Sequence, residues 1–140
     1  MAKTFDSIKN AIKRTPIIKK IDLNDGEEPV KLCINPSEEE REKIVNIVLK
    51  DIGNNKNENN EELIINLGKK EIFIPIVSLI TDIKLKKQDE ILFMEYLFKD
   101  PSPEGIMLRD DIIKVIYNVL DKFMDNLKID EDEDDKINKD

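Results

Sequence analysis

The sequence predicts a mainly α fold, a small helical domain with one N-terminal β-hairpin (a minor α+β component) and a disordered acidic C-terminal tail. Three observations carry that expectation. Apolar residues recur every three or four positions from Ile112 to Leu127, the spacing of a helix with one buried face. Val30, Leu32 and Ile34 alternate with Lys31 and Cys33, the period of a half-buried strand. The terminal run DEDEDDKINKD has no apolar periodicity. With 140 residues, the chain has the size of one domain, expected over 1–128, followed by the tail at 129–140.

The elements follow in order. Phe5, Ile8 and Ile12 are spaced for a short amphipathic helix from about Thr4 to Arg14. Thr15-Pro16 ends it, because the residue before proline is pushed out of the helical region. Two apolar runs, IIKKIDL and PVKLCI, flank Asp25-Gly26, which supplies the positive φ of a hairpin turn, so a β-hairpin is expected at about 17–34. An isolated hairpin is marginal in water, and this one must pack on helices.

The strongest local signal is Asn35-Pro36-Ser37-Glu38-Glu39-Glu40. Ser37 with Glu40 makes a capping box, and acids in the first turn suit the helix dipole. Behind it Ile44, Val45, Ile47, Val48, Leu49 and Ile52 form one broad apolar face, predicting a helix at 38–52 stopped by Gly53. GNNKNENN (53–60) is polar and low in complexity, and reads as a flexible loop. Shorter helices are expected at 61–67, at 75–82 with Pro75 in the first turn, and at 89–98. Ser102 as N-cap and Pro103 as first helical residue open the last helix, at 103–128.

Composition narrows the chemistry. The chain contains no histidine, which removes Ser-His-Asp and Cys-His arrangements and the commonest zinc ligand. Cys33, the single cysteine, is expected to be a half-buried structural thiol in a reducing cytoplasm. The acidic pairs read as solvated helix faces rather than carboxyls facing each other across a cleft. Asp130, Asp132 and Asp134 imitate the start of a calcium loop, but Asp135 stands where glycine is needed. No phosphate-cradling glycine motif occurs among four glycines. No catalytic residue, metal or cofactor is expected, and the chain is read as a non-enzyme.

The net charge of −8 is unevenly placed: residues 1–20 hold six cations against Asp6, a net of +5. The acidic balance argues against nucleic acid as partner. The N-terminal segment contains no signal-like apolar run, and no stretch reaches membrane-spanning length, so no membrane partner is expected. A protein partner is left. The last helix is broader in its apolar face than one neighbour covers, which points to self-association or a helical partner. Ile112, Ile116, Leu120, Phe123 and Met124 are the expected partner-binding residues, and a core role is the competing account of the same stripe.

The order of elements adds a resemblance. A strand feeding NPSEEEREKI, then SLITDIKL and DEILFMEYLFKDPSPEGIMLRDDIIKVIYNVLDKF, resembles the tail assembly chaperones of phages of Gram-positive bacteria over roughly residues 28–127. The segments that carry it are Thr81-Asp82-Ile83 and the Asp100-Pro101-Ser102 turn before the long final helix. The resemblance implies a transient assembly factor of the host cytoplasm that coats the helical tape measure protein and keeps it soluble until the tail tube forms. It also implies a longer frameshifted form, with the acidic tail where the extension starts. Two alternatives accompany it: a virion structural subunit (tail, connector or baseplate), or an acidic inhibitor acting by protein binding.

Overall fold

The computed structural model describes residues 2–54 and 66–138. Helix α1 (Phe5–Ile12) leads into an antiparallel hairpin of β1 (Ile18–Ile21) and β2 (Val30–Cys33). Helices α2 (Glu38–Asn54), α3 (Lys70–Ile80), α4 (Glu90–Met94) and α5 (Pro103–Asn138) follow. The mainly helical class with an N-terminal hairpin is therefore the observed one.

The hairpin register places Ile18 opposite Cys33 and Ile21 opposite Val30. Ile34 N–H donates to Ile17 O at 3.0 Å, closing one more rung, so the pairing spans the expected 17–34. Two residues of the turn, Asn24 (φ 57°) and Gly26 (φ 78°), take the left-handed conformation, which glycine tolerates freely and asparagine better than most. The hairpin does not stand alone. Leu32, fully buried, bridges to Thr81 at the end of α3. Asp82 fastens the same edge twice: its Oδ1 accepts from Lys31 N–H at 3.0 Å, and its own N–H donates to Lys31 O at 3.2 Å.

Ser37 caps α2 as the capping box requires, with Glu40 N–H donating to Ser37 Oγ at 3.2 Å and Ser37 N–H to Glu40 Oε1 at 3.0 Å. The expected helix at 61–67 lies mostly outside the described residues. Its end, Asn66-Leu67, is a turn in which Asn66 Oδ1 accepts from Gly68 N–H, with Leu67 buried.

Helix α3 corrects the expected 75–82 element. It starts at Lys70, so Pro75 lies inside it rather than in its first turn. An interior proline costs about 3 kcal/mol. Here Glu71 and Pro75 both sit on the exposed side, where water can serve the carbonyl that lost its partner. On the opposite side Ile72, Phe73, Ile76, Val77 and Ile80 are buried, each contributing about 2 kcal/mol, which outweighs the proline.

The expected helix at 89–98 is real but irregular: a 3-10 turn (Lys87–Asp89), α4, then a widened π turn (Glu95–Lys99). Pro101 explains the widening. An α-helical continuation would ask Pro101 for an N–H to give Leu97 O, and proline has none. Asp100 N–H instead donates back to Glu95 O at 3.1 Å, and Arg109 Nη1, from α5, donates to Leu97 O at 3.0 Å.

Ser102 caps α5 through Gly105 N–H (3.1 Å), with Pro103 first in the helix, as expected. The backbone of α5 is helical to Asn138. The core gathers α2, α3 and α5 with Ile21 and Leu32 of the hairpin, Met94 of α4 and Leu97 of the π turn. Phe73 meets Phe98 edge to face, centroids 5.0 Å apart, and the Arg109 guanidinium lies 6.0 Å from the Phe98 centroid.

Candidate partner-binding surface

The residues proposed from sequence divide sharply. Ile112 and Ile116 are wholly buried, and Leu120 is 9% exposed, so these three belong to the core of the chain itself. Their stripe is the one that α2 and α3 need as a packing partner, which is why it reads so strongly in the sequence. Phe123 is half-buried and Met124 is 48% exposed. The available part of α5 is its end, one to two turns beyond the buried stretch.

Between α2 and this end of α5 lies an open cleft of about 670 Å³. Val45, Leu49, Val119 and Phe123 form its apolar lining. Glu38, Arg41, Glu42, Lys122 and Asp125 stand around it. The α2 wall is a single stripe: 38, 41, 42, 45 and 49 follow helical spacing and face one way. The α5 wall, 119, 122 and 123, does the same. The apolar side chains grade from buried Val119 and Val45 at the floor to Leu49, 45% exposed, at the mouth. An apolar lining of this kind between two helices, rimmed by charge, matches the groove into which amphipathic helices lay their apolar face.

Val45 and Leu49 went unselected because the broad face of α2 reads as core. The breadth argument that singled out α5 applies to α2 as well. Ile44 and Val48 fill the core, and Leu49, on the edge of that face, is left over.

A second concavity, about 480 Å³, adjoins the first and shares Arg41, Val119, Lys122 and Asp125 with it. Asn35 organises its far wall. Its side chain accepts from Ile17 N–H at 2.7 Å and donates to Thr15 O at 2.9 Å. Its carbonyl accepts from Arg14, Nε at 3.0 Å and Nη2 as well. Arg14 also lies 3.9 Å from Glu40. The Glu40 carboxyl is held below its ordinary range chiefly by the Ser37 N–H it accepts from, against a smaller opposing effect of burial. The Ser37 hydroxyl, Arg14 and Lys43 add to the lowering.

Cys33 is half-buried on β2, with its Sγ 3.7 Å from Arg14 Nη2 and 3.6 Å from Asn35 Oδ1. Among the described residues no cluster of thiol or carboxylate groups is placed to hold a metal ion. Nor, among them, is any helix long and apolar enough to cross a membrane.

Helix α1 stands apart from all of this. None of its residues is buried; Phe5 is 69% and Ile12 65% exposed. Comparison with known proteins gives no match to any protein family, curated protein or solved structure.

Proposed function

We propose that this chain is a reversible protein-binding factor of the tail assembly chaperone class, which receives a helical segment of the tape measure protein and keeps it soluble in the host cytoplasm. The single observation behind it is the α2–α5 cleft, an apolar floor with a charged rim that a partner helix can occupy without dismantling the core. The order of elements that resembles those chaperones supports the choice of partner. The acidic surplus supports the role too, because net charge keeps a protein with exposed apolar surface from precipitating.

The partner segment expected is an amphipathic helix with apolar residues at i, i+3/i+4 and i+7. The charges around the cleft nearly balance, Glu38, Glu42 and Asp125 against Arg41 and Lys122, so they set orientation more than gross affinity. The test is co-expression with the long helical protein, followed by pull-down and a solubility comparison. Wild type should carry the partner into the soluble fraction and co-elute with it. Leu49→Lys, at the exposed mouth of the cleft, should lose both effects while staying folded. A partner equally soluble without this chain would end the proposal.

A further inference from the structure

Asp25-Gly26 forms the hairpin turn, and the same two residues carry a chemistry that the fold itself does not use. The backbone nitrogen of the residue after an aspartate can attack the side-chain carboxyl. The attack is least hindered when that residue is glycine, which has no Cβ beside its nitrogen. Three features of this turn favour it. Asp25 and Gly26 are both exposed. Asp25 Oδ1 accepts from Glu27 N–H at 3.1 Å, an Asx turn that folds the carboxyl forward along the Gly26 peptide. Gly26 N–H donates to no acceptor among the described residues, so no bond has to break before the nitrogen moves. We propose that Asp25 is a site of spontaneous isoaspartate formation, begun by closure of the Gly26 nitrogen on Asp25 Cγ.

The reaction needs no co-reactant but water. A bond forms between Gly26 N and Asp25 Cγ as a Cγ–O bond breaks, and the hydroxyl leaves with the amide proton as one molecule of water. The product is a five-membered succinimide that joins side chain to main chain. Water then adds to one of its two carbonyls. Opening at Cγ restores aspartate. Opening at the former main-chain carbonyl leaves the backbone running through Cγ, one methylene longer, with the α-carboxyl as the new side chain.

The structure separates this site from the comparable pair Asp6-Ser7, where a small residue also follows an aspartate. Ser7 N–H is held by Thr4 O at 3.1 Å and by Thr4 Oγ1 at 3.3 Å, in the first turn of α1. Ring closure at Asp6 must first release that nitrogen. At Gly26 the surroundings are open: a Cβ built there would meet nothing within 4 Å. Residues 22–29 join the paired Ile21 and Val30, a connection long enough to take up one methylene without moving the register. What changes is the outer end of the turn. The Asp25–Glu27 bond is lost, and so is the 3.4 Å contact of Asn24 Nδ2 with Glu104 Oε1 that ties the turn to the start of α5. None of these residues lines the α2–α5 cleft, so the inference is independent of the partner proposed above.

Ageing the full chain at neutral pH and physiological temperature tests it, beside a synthetic peptide of residues 22–29. Isoaspartate is read by enzymatic methyl transfer from S-adenosylmethionine. Peptide mapping then places it, as a second peptide of unchanged mass that an Asp-directed protease no longer cuts at residue 25. The folded chain should accumulate isoaspartate at residue 25 as quickly as the peptide does. Asp25→Ser keeps a side-chain oxygen for Glu27 N–H but cannot cyclise, and should lose the signal. Asp25→Asn, from which ammonia leaves in place of water, should age faster. Residue 6 should lag residue 25 by about fivefold or more, because Ser7 N–H must first give up its bonds. The inference is overturned by a folded chain that stays unmodified while the peptide ages, by a signal undiminished in Asp25→Ser, or by residue 6 ageing as fast as residue 25.

Discussion

Two phenylalanines of the same chain test how its core is built. Phe73 is 0% exposed and packs edge to face on Phe98 at 5.0 Å; Phe5 is 69% exposed on α1. Replacing each by alanine removes identical atoms from opposite environments. At Phe73 the loss combines transfer of the ring with the cavity left between α3 and α4, about 4 kcal/mol. It also leaves Phe98 without its edge partner, which is included in that figure. Domains of this size are stable by about 5–15 kcal/mol, so Phe73→Ala should remove about a quarter or more of the total. The melting temperature should fall by about 15 °C. Phe5→Ala should cost less than about 0.5 kcal/mol, as exposed positions do. Thermal and urea unfolding followed by far-ultraviolet circular dichroism give both numbers. Equal losses for the two variants, or a loss below about 1 kcal/mol at Phe73, would refute the placement of α3 at the centre of the core.

Other expectations follow from particular contacts. Ser37→Ala removes the hydroxyl arm of the capping box, leaving the backbone N–H of residue 37 to donate to Glu40, and should cost about 1 kcal/mol at neutral pH, read from the urea midpoint. Because the folded-state pKa of Glu40 is lowered, its carboxylate contributes stability above the ordinary glutamate range and loses it as pH falls through the folded value. The difference between wild type and Glu40→Gln should therefore be present at pH 7 and vanish in acid, and a difference that grows in acid would reverse the sign argued here. Arg109→Ala removes the donor that serves Leu97 O and the cation over Phe98, and should cost about 1–3 kcal/mol, with Arg109→Lys recovering only part. Asp82→Ala should cost about 1 kcal/mol and raise amide exchange at Lys31 and Leu32 before it affects α5, as seen by hydrogen-exchange mass spectrometry.

What was legible in the sequence was what short-range chemistry decides. Ser37 and Ser102 cap the helices that their sequences announce, and the Asp25-Gly26 turn pairs Ile17 with Ile34. What was not legible depended on which face met which neighbour. Pro75 looked like a helix start, since nothing local shows that Ile72 and Phe73, before it, would be buried as deeply as Ile76 and Val77, after it. The π turn at Glu95–Lys99 needs Arg109, twelve residues beyond Leu97, to supply the missing donor. The candidate surface shows the same division. The apolar stripe of α5 was visible, yet periodicity could not say that Ile112 and Ile116 were spent on the core and that Phe123 remained, beside Val45 and Leu49 of α2.

The clasp between the hairpin and the end of α3 has a consequence for the chain as it is being made. Lys31 and Asp82 are 51 residues apart, and both rungs that join them form only when the later residue is present. A two-stranded hairpin without that third element is marginal. During synthesis, then, Leu32 leaves the ribosome before Thr81 and Asp82, the residues that bridge to its strand, have been added. Closing a loop of that length carries an entropic cost, and the clasp that fixes the hairpin on the helices cannot form until Asp82 has been made.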